Sequence, residues 1–425
     1  MIRARLSRLR LSPSCALSRW HSSPSCAVPS FACARSAGVL IALALATTAR
    51  ADPFIHYGFA YRAIAPPATA PGSFGVAVDA LPDGRLVAVT GSTVLLESAP
   101  GSPAFAVAAQ IDASLLAEPV DPSFLAISPT GARVAVGAGF AKPVLVFPAT
   151  LLDPSSPTTL TTTNTARFGV GHFDAAWLDA THLALSAGVF GSPSFVTLLD
   201  VASDPAAPTN PVIISNIDGA SAGVAFDSTG ALYTGNGFDN SPGVPGTSET
   251  GWIKRFTPAQ WAAGANFETD GALIADVLSA GPLVFDEDGD LLVGGGDFSA
   301  GDFGSIAVID DAAIALAITT GLAIDPSDTG LVRRLDPLGD SSGFFGVTIN
   351  RATGGALITG APLWFATSGR RPGDLTGDGV VSGADLAALL AVLGSADPFA
   401  DLNADGAVTG ADIAILLNNW GSDRP

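Results

Sequence analysis

The chain has 425 residues, with 39 acidic and 20 basic side chains and a formal net charge of −19. This charge excludes non-specific binding to nucleic acid and to anionic membrane surfaces, because both require positively charged protein. A chain of this length buries enough apolar surface to fold without covalent staples.

The first 51 residues are predicted to be a secretory signal. Residues 1–50 contain seven arginines and no acid, and an apolar run at 37–46 precedes an A-x-A site at Ala49-Arg50-Ala51. Because the run is too short to cross a bilayer, we predict no membrane span and an exported protein, secreted or held at the cell surface. All three cysteines lie in this segment, so the remaining chain, with a net charge of about −26, has no disulfide and no thiolate metal site.

Residues 52–367 are predicted to be β-structure without helix. The 48 glycines and 31 prolines are spread along the chain and disfavour helix interiors, and the apolar segments are short and bounded by turn residues. These segments form six strand–turn–strand repeats. The predicted strand pairs are 74–78 with 86–91, 124–127 with 134–137, 173–178 with 183–188, 222–226 with 232–235, 282–285 with 291–294, and 345–349 with 356–360. A third strand is predicted at 144–147, 252–256 and 305–309.

The spacing of the repeats predicts a β-propeller. One turn residue per repeat, 47 to 65 positions from the next, sets a period typical of propeller blades; these residues are Gly84, Gly131, Thr181, Gly230, Gly289 and Gly354. We expect six blades, or seven if a degenerate unit lies within 322–336, and we expect residues 54–61 to supply the strand that closes the ring. The repeats resemble six-bladed propellers of the NHL and SMP-30/gluconolactonase kind.

After a predicted linker at 368–373, a twelve-residue segment occurs twice at an offset of 27 residues. Asp374–Asp385 reads DLTGDGVVSGAD, and Asp401–Asp412 reads DLNADGAVTGAD. Calcium loops of this length supply oxygen ligands from positions 1, 3, 5, 7, 9 and 12, with glycine at position 6, so we predict two Ca²⁺ ions. The predicted ligands are Asp374, Thr376, Asp378, the Val380 carbonyl, Ser382 and Asp385, and then Asp401, Asn403, Asp405, the Ala407 carbonyl, Thr409 and Asp412.

Each loop is predicted to lead into a short helix with one apolar face. The two faces occupy equivalent positions, Leu386, Leu389, Leu390 and Leu393 in the first half and Ile413, Leu416, Leu417 and Trp420 in the second. Helices of about ten residues are marginal alone, so we expect the two faces to pack together. Gly394 and Gly421 are expected to end the helices.

The duplicated loop–helix halves at 374–421 resemble a type I dockerin. The resemblance implies calcium-dependent binding to a cohesin module on a scaffold or surface protein, and dockerins often accompany polysaccharide-degrading enzymes. Asp385 and Asp412 agree with the family at loop position 12. Leu390 and Ala391 stand where cellulosomal members have basic residues, and Gly383-Ala384 and Gly410-Ala411 stand at the positions on which partner choice depends.

The propeller offers two functional interpretations. In the first, it is a non-catalytic binding domain, with carbohydrate as a candidate ligand, that the calcium module docks to a partner. In the alternative, it is an extracellular enzyme acting on carbohydrate or a lactone, with acids at the central channel. Candidate acids for its mouth are Asp239, Asp297 and Asp302, and resemblance to the lactonases suggests Asn236 and Asp239 for a channel metal.

Other polar and aromatic features favour structural interpretations. The acidic segment 286–290 is expected to be a hairpin turn, and the glycine clusters at 137–139, 235–237 and 294–296 are expected at strand ends. The three histidines after the signal, His56, His172 and His182, are too dispersed to form a linear site. We expect core packing, in preference to stacking on sugar, for Trp252, Trp261 and Trp364.

Overall fold

A computed structural model defines the fold of the chain in segments. It describes residues 61–64, 77–100, 104–116, 122–139, 142–169, 173–189, 192–217, 220–237, 251–277, 281–286, 289–294, 306–325, 331–335, 344–351, 355–360, 364–367, 373–375, 380–395, 400, 402 and 407–422. The predicted signal at 1–51 lies outside these residues.

Six sheets of four or five strands form the main body. The first contains β2 (Ala77–Ala80), β3 (Leu86–Thr90), β4 (Thr93–Glu97), β5 (Phe105–Ile111) and β9 (Thr158–Leu160). The second contains β6 (Phe124–Ile127), β7 (Arg133–Gly137), β8 (Val144–Pro148) and β10 (Ala166–Phe168). The third contains β11 (Asp174–Trp177), β12 (His182–Val189), β13 (Ser192–Asp200), β14 (Val212–Ile217) and β18 (Ala265–Asn266).

The remaining three sheets have four strands each. The fourth contains β15 (Ala220–Phe226), β16 (Leu232–Gly237), β17 (Gly251–Phe256) and β19 (Ala272–Val277). The fifth contains β20 (Leu283–Phe285), β21 (Leu291–Val293), β22 (Ile306–Ile309) and β23 (Val332–Leu335). The sixth contains β24 (Phe344–Asn350), β25 (Gly355–Gly360), β26 (Trp364–Thr367) and β1 (Tyr61–Ile64).

The sheets are arranged as a ring, which confirms the propeller class. The edge strands β2, β6, β11, β15, β20 and β24 contact one another in this order, and β24 contacts β2. Five sheets take their principal strands from successive stretches of chain, and the sixth joins the first strand to three strands near the end of the body. We refer to β2, β6, β11, β15, β20 and β24 as the innermost strands.

The chain ends of the propeller meet in the sixth sheet. Strand β1 pairs antiparallel with β26, with Tyr61 opposite Thr367 and Ile64 opposite Trp364. A closing strand was expected at 54–61, but the described strand begins at Tyr61, and residues 54–60 lie outside the described part of the chain. The segment considered for a seventh unit supplies β23, which pairs with β22 as the outer strand of the fifth sheet. This pairing covers the outer edge of β26 with a strand from the other end of the propeller.

Two short outer strands connect neighbouring sheets. Strand β9, which lies between β8 and β10 in sequence, pairs parallel with β5 of the first sheet. Strand β18 lies between β17 and β19 and pairs parallel with β14 of the third sheet. In sequence, β9 lies among the strands of the second sheet and β18 among those of the fourth. Each of them covers the outer edge of the sheet before it.

The apolar core lies between the sheets. Six buried clusters of the main body fill the six spaces between neighbouring sheets, including the space between the sixth sheet and the first, where Leu357 packs against Val78 and Leu95. Both faces of each inner strand are therefore covered, which is why these strands are continuous apolar runs rather than alternating ones.

Tight turns fix the register of the inner hairpins. Gly84, Gly131, Gly230 and Gly289 have φ values of 68° to 93°, the left-handed conformation that glycine adopts without steric cost. The third repeat has no glycine in its turn. There, Asp179 Oδ1 accepts hydrogen bonds from the main-chain N–H groups of Thr181 and His182 at 2.6 and 2.8 Å, so a side chain stabilises the turn instead.

The main body is β-structure as predicted, but it also contains helical segments that the sequence analysis did not identify. Helix α1 is Pro258–Ala262, helix α2 is Asp311–Thr320, and Ala149–Leu151 form a 3₁₀ turn. The N-cap of α2 is Asp310, whose Oδ1 accepts the N–H groups of Ala312 and Ala313, and Gly321 ends the helix with φ of 70°. Alanine-rich composition between these caps favours helix over strand. Within the described part of the chain, no helix is long and apolar enough to cross a membrane.

Replacing Gly223 with alanine tests the close contact between the fourth and fifth sheets. A Cβ at this position of β15 would overlap the Gly281 carbonyl oxygen and lie 2.5 Å from Leu283 Cγ. Because main chain cannot yield as a flexible side chain does, Gly223→Ala should lower the free energy of unfolding by about 2–3 kcal/mol in chemical denaturation. Gly264→Ala is the control, since its Cβ meets nothing within 4 Å and only its φ of 81° is unfavourable, at about 1 kcal/mol. Equal losses in the two variants would contradict this packing.

Candidate functional site

The C-terminal module has an internal twofold arrangement. It contains α3 (Gly383–Ala391) and α4 (Gly410–Asn418), which contact each other, and the short strands β27 (Val380–Val381) and β28 (Gly421–Ser422). Strand β27 pairs with β28, with Val381 opposite Gly421. The equivalent pairing 27 residues away joins Gly394 N–H to the Val408 carbonyl and Val408 N–H to the Ser395 carbonyl, each at 2.8 Å. Each half therefore pairs the end of its loop with the residues after the helix of the other half.

The last two predicted side-chain ligands of each loop also form the helix N-terminus. Ser382 is the N-cap of α3, and Asp385 Oδ2 accepts its N–H at 2.8 Å. Thr409 is the N-cap of α4, and Asp412 Oδ2 accepts its N–H at 2.6 Å. Both pairs are capping boxes, in which cap side chain and aspartate satisfy otherwise unpaired N–H groups. In the second loop, Asp412 Oδ1 also accepts the N–H of Leu402 at 2.7 Å, which ties the loop start to the helix.

Three predicted ligands are buried carboxylates. Asp385 and Asp412 have no exposed surface, and Asp374 is 5% exposed. The sequence from 373 to 422 contains seven aspartates and no lysine, arginine or histidine, and Arg370, Arg371 and Arg424 flank it. Buried carboxylates without a cation are costly, and a divalent cation with oxygen ligands removes this cost. The donor set of oxygen atoms alone therefore fits Ca²⁺.

The remaining predicted ligands divide into two groups. The carbonyl-bearing residues Val380 and Ala407 are described, and each lies two residues before its helix N-cap. Outside the described residues lie Thr376, Asp378, Asp401, Asn403 and Asp405, together with the turn glycines Gly379 and Gly406. The structure thus describes seven of the twelve predicted ligands, and the complete ligand set stays a prediction.

The apolar faces of the two helices pack only in part, contrary to expectation. Leu389 and Leu416 are fully buried in the small core of the module, where Leu386 and Ile413 are partly buried. The other predicted members are half exposed, at 48 to 51% of their surface; these are Leu390, Leu393, Leu417 and Trp420. The cause is the small size of the module, whose core has room for one side of each helix. Gly394 and Gly421 have positive φ but lie two residues beyond the C-caps, which are Val392 and Asn419.

A second polar centre, missed by the sequence analysis, lies on the innermost strands of the propeller. Asp79 is on β2, and its Oδ2 accepts the N–H of Ile127 on β6 at 2.7 Å. Its Oδ1 accepts the hydroxyl of Thr348 on β24 at 2.9 Å and the N–H of Ala80 at 2.8 Å. One carboxylate thus connects the sixth, first and second sheets.

Asp174 on β11 makes the corresponding connection on the other half of the ring. Its Oδ2 accepts the N–H of Val224 on β15 at 3.1 Å and, at a longer 3.4 Å, the N–H of Leu283 on β20. It thereby connects the third, fourth and fifth sheets. The two aspartates lie at different heights on their strands. Asp79 is one residue before the last pair of its hairpin, Ala80 with Leu86, whereas Asp174 is three residues before Trp177 with Leu183. The difference of two residues is roughly 7 Å along a strand.

Burial raises the pKa of both groups. The pKa of Asp79 is raised to about 6 by loss of hydration, against the opposing effects of its hydrogen bonds and of the Arg351 charge. The pKa of Asp174 is raised to about 7 by the same cause, with a further increase from the charge of Asp79. The sequence signal was an aspartate within each of two strands that otherwise read as apolar, a pattern typical of a buried polar contact.

Other candidates from the sequence do not form a shared site within the described residues. Asn236 Oδ1 accepts the N–H of Trp252, and Trp252 and Trp261 pack against the core between the third and fourth sheets. His182 lies in an exposed turn with its Nδ1 2.8 Å from Asp179 Oδ2. The described residues do not include Asp239, Asp297, Asp302, His56 or His172. Trp364 is described only by its main chain.

Asp290, at the end of the acidic segment 286–290, contacts the start of helix α2. Carboxylate oxygens of Asp290, Asp310 and Asp311 lie within 4.8 Å of one another. Asp290 Oδ1 accepts the N–H of Asp311 at 2.8 Å, and Asp286 Oδ1 accepts the N–H of Asp290 at 2.8 Å. Burial and the neighbouring carboxylates raise the pKa of Asp290 to about 8. These contacts agree with a hairpin turn that anchors a helix N-terminus.

The fold and the module together define a β-propeller followed by a duplicated loop–helix unit. Residues 372–419 match the family model of the dockerin type I domain, which confirms the resemblance for this module. No curated protein matches the sequence.

Several solved structures are similar to the propeller at low identity. A Trichoderma reesei carbohydrate-active enzyme of family AA12 has 14% identity and a TM-score of 0.49, covering 72% of this chain and 95% of its own. The PQQ-bound aldose sugar dehydrogenase of Streptomyces coelicolor has 12% identity and a TM-score of 0.47, covering 72% and 97%. A putative gluconolactonase has 11% identity and a TM-score of 0.45, covering 75% and 96%. The propeller assignment itself rests on the six sheets and their ring of contacts.

Replacing Asp412 with alanine tests the joint role of this carboxylate in the helix cap and in the loop. The change leaves the N–H groups of Leu402 and Thr409 without their acceptor in a buried position. The calcium-loaded module, as a 370–425 fragment, should therefore lose about 2 kcal/mol or more of stability in thermal unfolding followed by circular dichroism. Asn418→Ala, at an exposed position near the end of α4, should have a small effect. A result in which Asn418→Ala costs as much as Asp412→Ala would contradict the assigned role.

Proposed function

We propose that this is an exported protein whose propeller, at 52–367, is a non-catalytic binding domain, and whose module at 374–421 docks it to a cohesin-bearing scaffold or surface protein. Residues 1–51 act as the signal peptide and 368–373 as the linker. The observation that carries the docking proposal is the match of the module to the dockerin type I domain, whose members bind cohesins.

Calcium is proposed to hold the module in its folded form. Each loop offers six oxygen donors for one ion, from Asp374, Thr376, Asp378, Val380, Ser382 and Asp385, and from Asp401, Asn403, Asp405, Ala407, Thr409 and Asp412. When bound, Ca²⁺ supplies positive charge to these carboxylates. The chain's own contribution is to place Asp385 and Asp412 at the starts of α3 and α4, so that ligand geometry and helix capping depend on each other.

The exposed helix faces have the character of a docking surface. The only charged side chains in α3 and α4 are Asp385 and Asp412, and both are fully buried. The outer faces consist instead of glycine, alanine, asparagine and the half-exposed Leu390, Leu393, Leu417 and Trp420. Surface helices normally carry charged residues on the side that faces water. An uncharged face with large apolar side chains, including a tryptophan, is typical of a surface that a partner covers.

The carboxylates of Asp290, Asp310 and Asp311 lie together, but Asp290 and Asp310 accept N–H groups at the start of helix α2, so the enzyme alternative gains no support from the described residues. Its predicted acids Asp239, Asp297 and Asp302 lie outside them. On the innermost strands, Asp79 and Asp174 likewise accept main-chain N–H groups from neighbouring sheets. These contacts favour a role in holding the ring, and for this reason we propose binding, with carbohydrate as the first ligand class to test, rather than catalysis.

Calcium titration of a 370–425 fragment tests the metal assignment. Ca²⁺ should increase helicity in far-ultraviolet circular dichroism, and chelation should reverse the change, because short helices need the ion to fold. The Asp374→Ala/Asp401→Ala variant removes one oxygen ligand from each loop and should not respond. An unchanged spectrum across millimolar calcium would remove the assignment.

Titration calorimetry of the full chain with a recombinant type I cohesin tests docking. The wild-type protein should bind with calcium and not with chelator. Because the two halves are related by a 27-residue offset, Leu390→Glu/Leu417→Glu should weaken binding at least tenfold by placing a charge on both faces. Val212→Glu, at a similarly exposed apolar residue of the propeller, is the matched control and should bind normally. Binding that persists in chelator, or in the double variant, would contradict the proposed surface.

A further inference from the structure

The six sheets of the propeller end in two kinds of outer edge. An outermost strand exposes main-chain N–H and C=O groups with which a strand of another molecule can pair. In the first, third and fourth sheets, a short segment from the next sheet lies parallel to the last long strand; these segments are β9, β18 and Ile324. In the second, fifth and sixth sheets the outermost strands are β10, β23 and β1, and within the described residues no strand pairs with their outer sides.

Two of the covered edges are closed further by local hydrogen bonds. The Thr159 carbonyl of β9 accepts the side-chain N–H of Asn164 at 3.0 Å, and Asn164 Oδ1 accepts the N–H of Thr161 at 2.8 Å. In β18, the N–H of Asn266 donates to Asp270 Oδ2, and its carbonyl accepts the N–H of Asp270, both at 2.8 Å. An incoming strand would therefore have few main-chain groups left to pair with at these edges.

The three open edges carry arginines instead. These are Arg167 in β10, Arg333 and Arg334 in β23, and Arg62 in β1. Of the 20 basic side chains in the sequence, seven precede residue 51, so 13 remain, and four of those lie in the 11 residues of the open strands. The strands beneath the covered edges, β5, β14 and β19, contain no lysine or arginine. Basic residues thus follow the open edges and not outer strands in general.

Arg167 has no ion-pair partner among the described residues. Its side chain is exposed on β10 and makes no hydrogen bond there, whereas Arg85 and Arg255 pair with Asp83 and Asp227. Because the chain has 39 acidic side chains, an arginine without a partner is not explained by pairing within the fold. A hydrated charge on an outermost strand opposes burial of that edge against another molecule.

We propose that the outer edges of β10, β23 and β1 are pairing surfaces for a second copy of this chain, and that their arginines prevent the pairing. Any contact between two of these edges brings two arginine-bearing strands together, and like charges opposite one another destabilise a strand pair. Loss of hydration around the guanidinium groups adds to this cost. The arginines thereby keep two propellers from joining at their sheet edges.

Sedimentation of the full chain in calcium tests the proposal. Wild type should be a monomer at micromolar concentration. In the variant Arg62→Val/Arg167→Val/Arg333→Val/Arg334→Val the dissociation constant of self-association should fall about tenfold or more. Its net charge is more negative, which by itself opposes association. Glutamate at the same four positions again places like charges on every open edge, so that variant should stay a monomer. A monomeric valine variant, or a glutamate variant that associates as strongly, would overturn the proposal.

Single variants separate the strand edge from the effect of added apolar surface. Arg167→Val should strengthen self-association, because it removes the charge from β10. Arg85→Val places the same side chain at an exposed turn, where Arg85 contacts Asp83, and should leave the protein monomeric. Equal association of the two variants would overturn the proposal, since apolar surface alone would then be the cause.

Hydrogen exchange of the wild-type amides provides a measurement that does not depend on any variant. The N–H groups of β10 that face away from β8 should exchange about tenfold or more faster than the N–H of Asn266, which is bonded to Asp270. If every N–H of β10 is protected as well as that of Asn266, its outer edge is covered and the proposal is overturned.

Discussion

Main-chain N–H groups that secondary structure leaves unpaired are satisfied by aspartate carboxylates in both parts of this protein. On the innermost strands, Asp79 and Asp174 accept N–H groups at the open strand edges. At the helices, Asp385, Asp412 and Asp310 accept those of the first turns. A carboxylate is a strong acceptor and accepts several bonds at once, but burying its charge is expensive.

The two regions meet this cost differently in our account. In the module, a divalent cation neutralises the buried carboxylates, which links folding and docking to calcium. In the propeller, Asp79 and Asp174 accept hydrogen bonds from neighbouring innermost strands. In the module, each loop has six proposed oxygen ligands for one ion, whereas Asp79 accepts the N–H groups of Ala80 and Ile127 and the hydroxyl of Thr348. The exposed helix faces of the module are uncharged. An ion bound inside such a module can stabilise it without charged residues on its surface.

Much of the fold is predictable from the sequence because local rules decide it. The inner strand pairs appear within one to three residues of their predicted bounds, and glycines such as Gly131 and Gly230 mark turns that need positive φ. Helix α2 was missed because an apolar run such as Ala312–Thr320 fits strand or helix until Asp310 and Gly321 are recognised as caps. The duplicated calcium loops stand out since ligand spacing is a local property. By contrast, the partner of Asp79 lies 269 residues away at Thr348, and no local pattern reveals such a contact. Likewise, which half of each apolar helix face is buried depends on how small the module's core is.

Counting the calcium ions bound by the full chain at neutral pH tests most directly the proposal that metal stabilises the C-terminal module. Equilibrium dialysis against radioactive calcium should give two ions per chain, both lost when the two loops are disabled together by substitution of Asp385 and Asp412. Asp79→Asn/Asp174→Asn should leave the count at two. A count of zero, or a count that stays at two when Asp385 and Asp412 are substituted, would contradict the proposal.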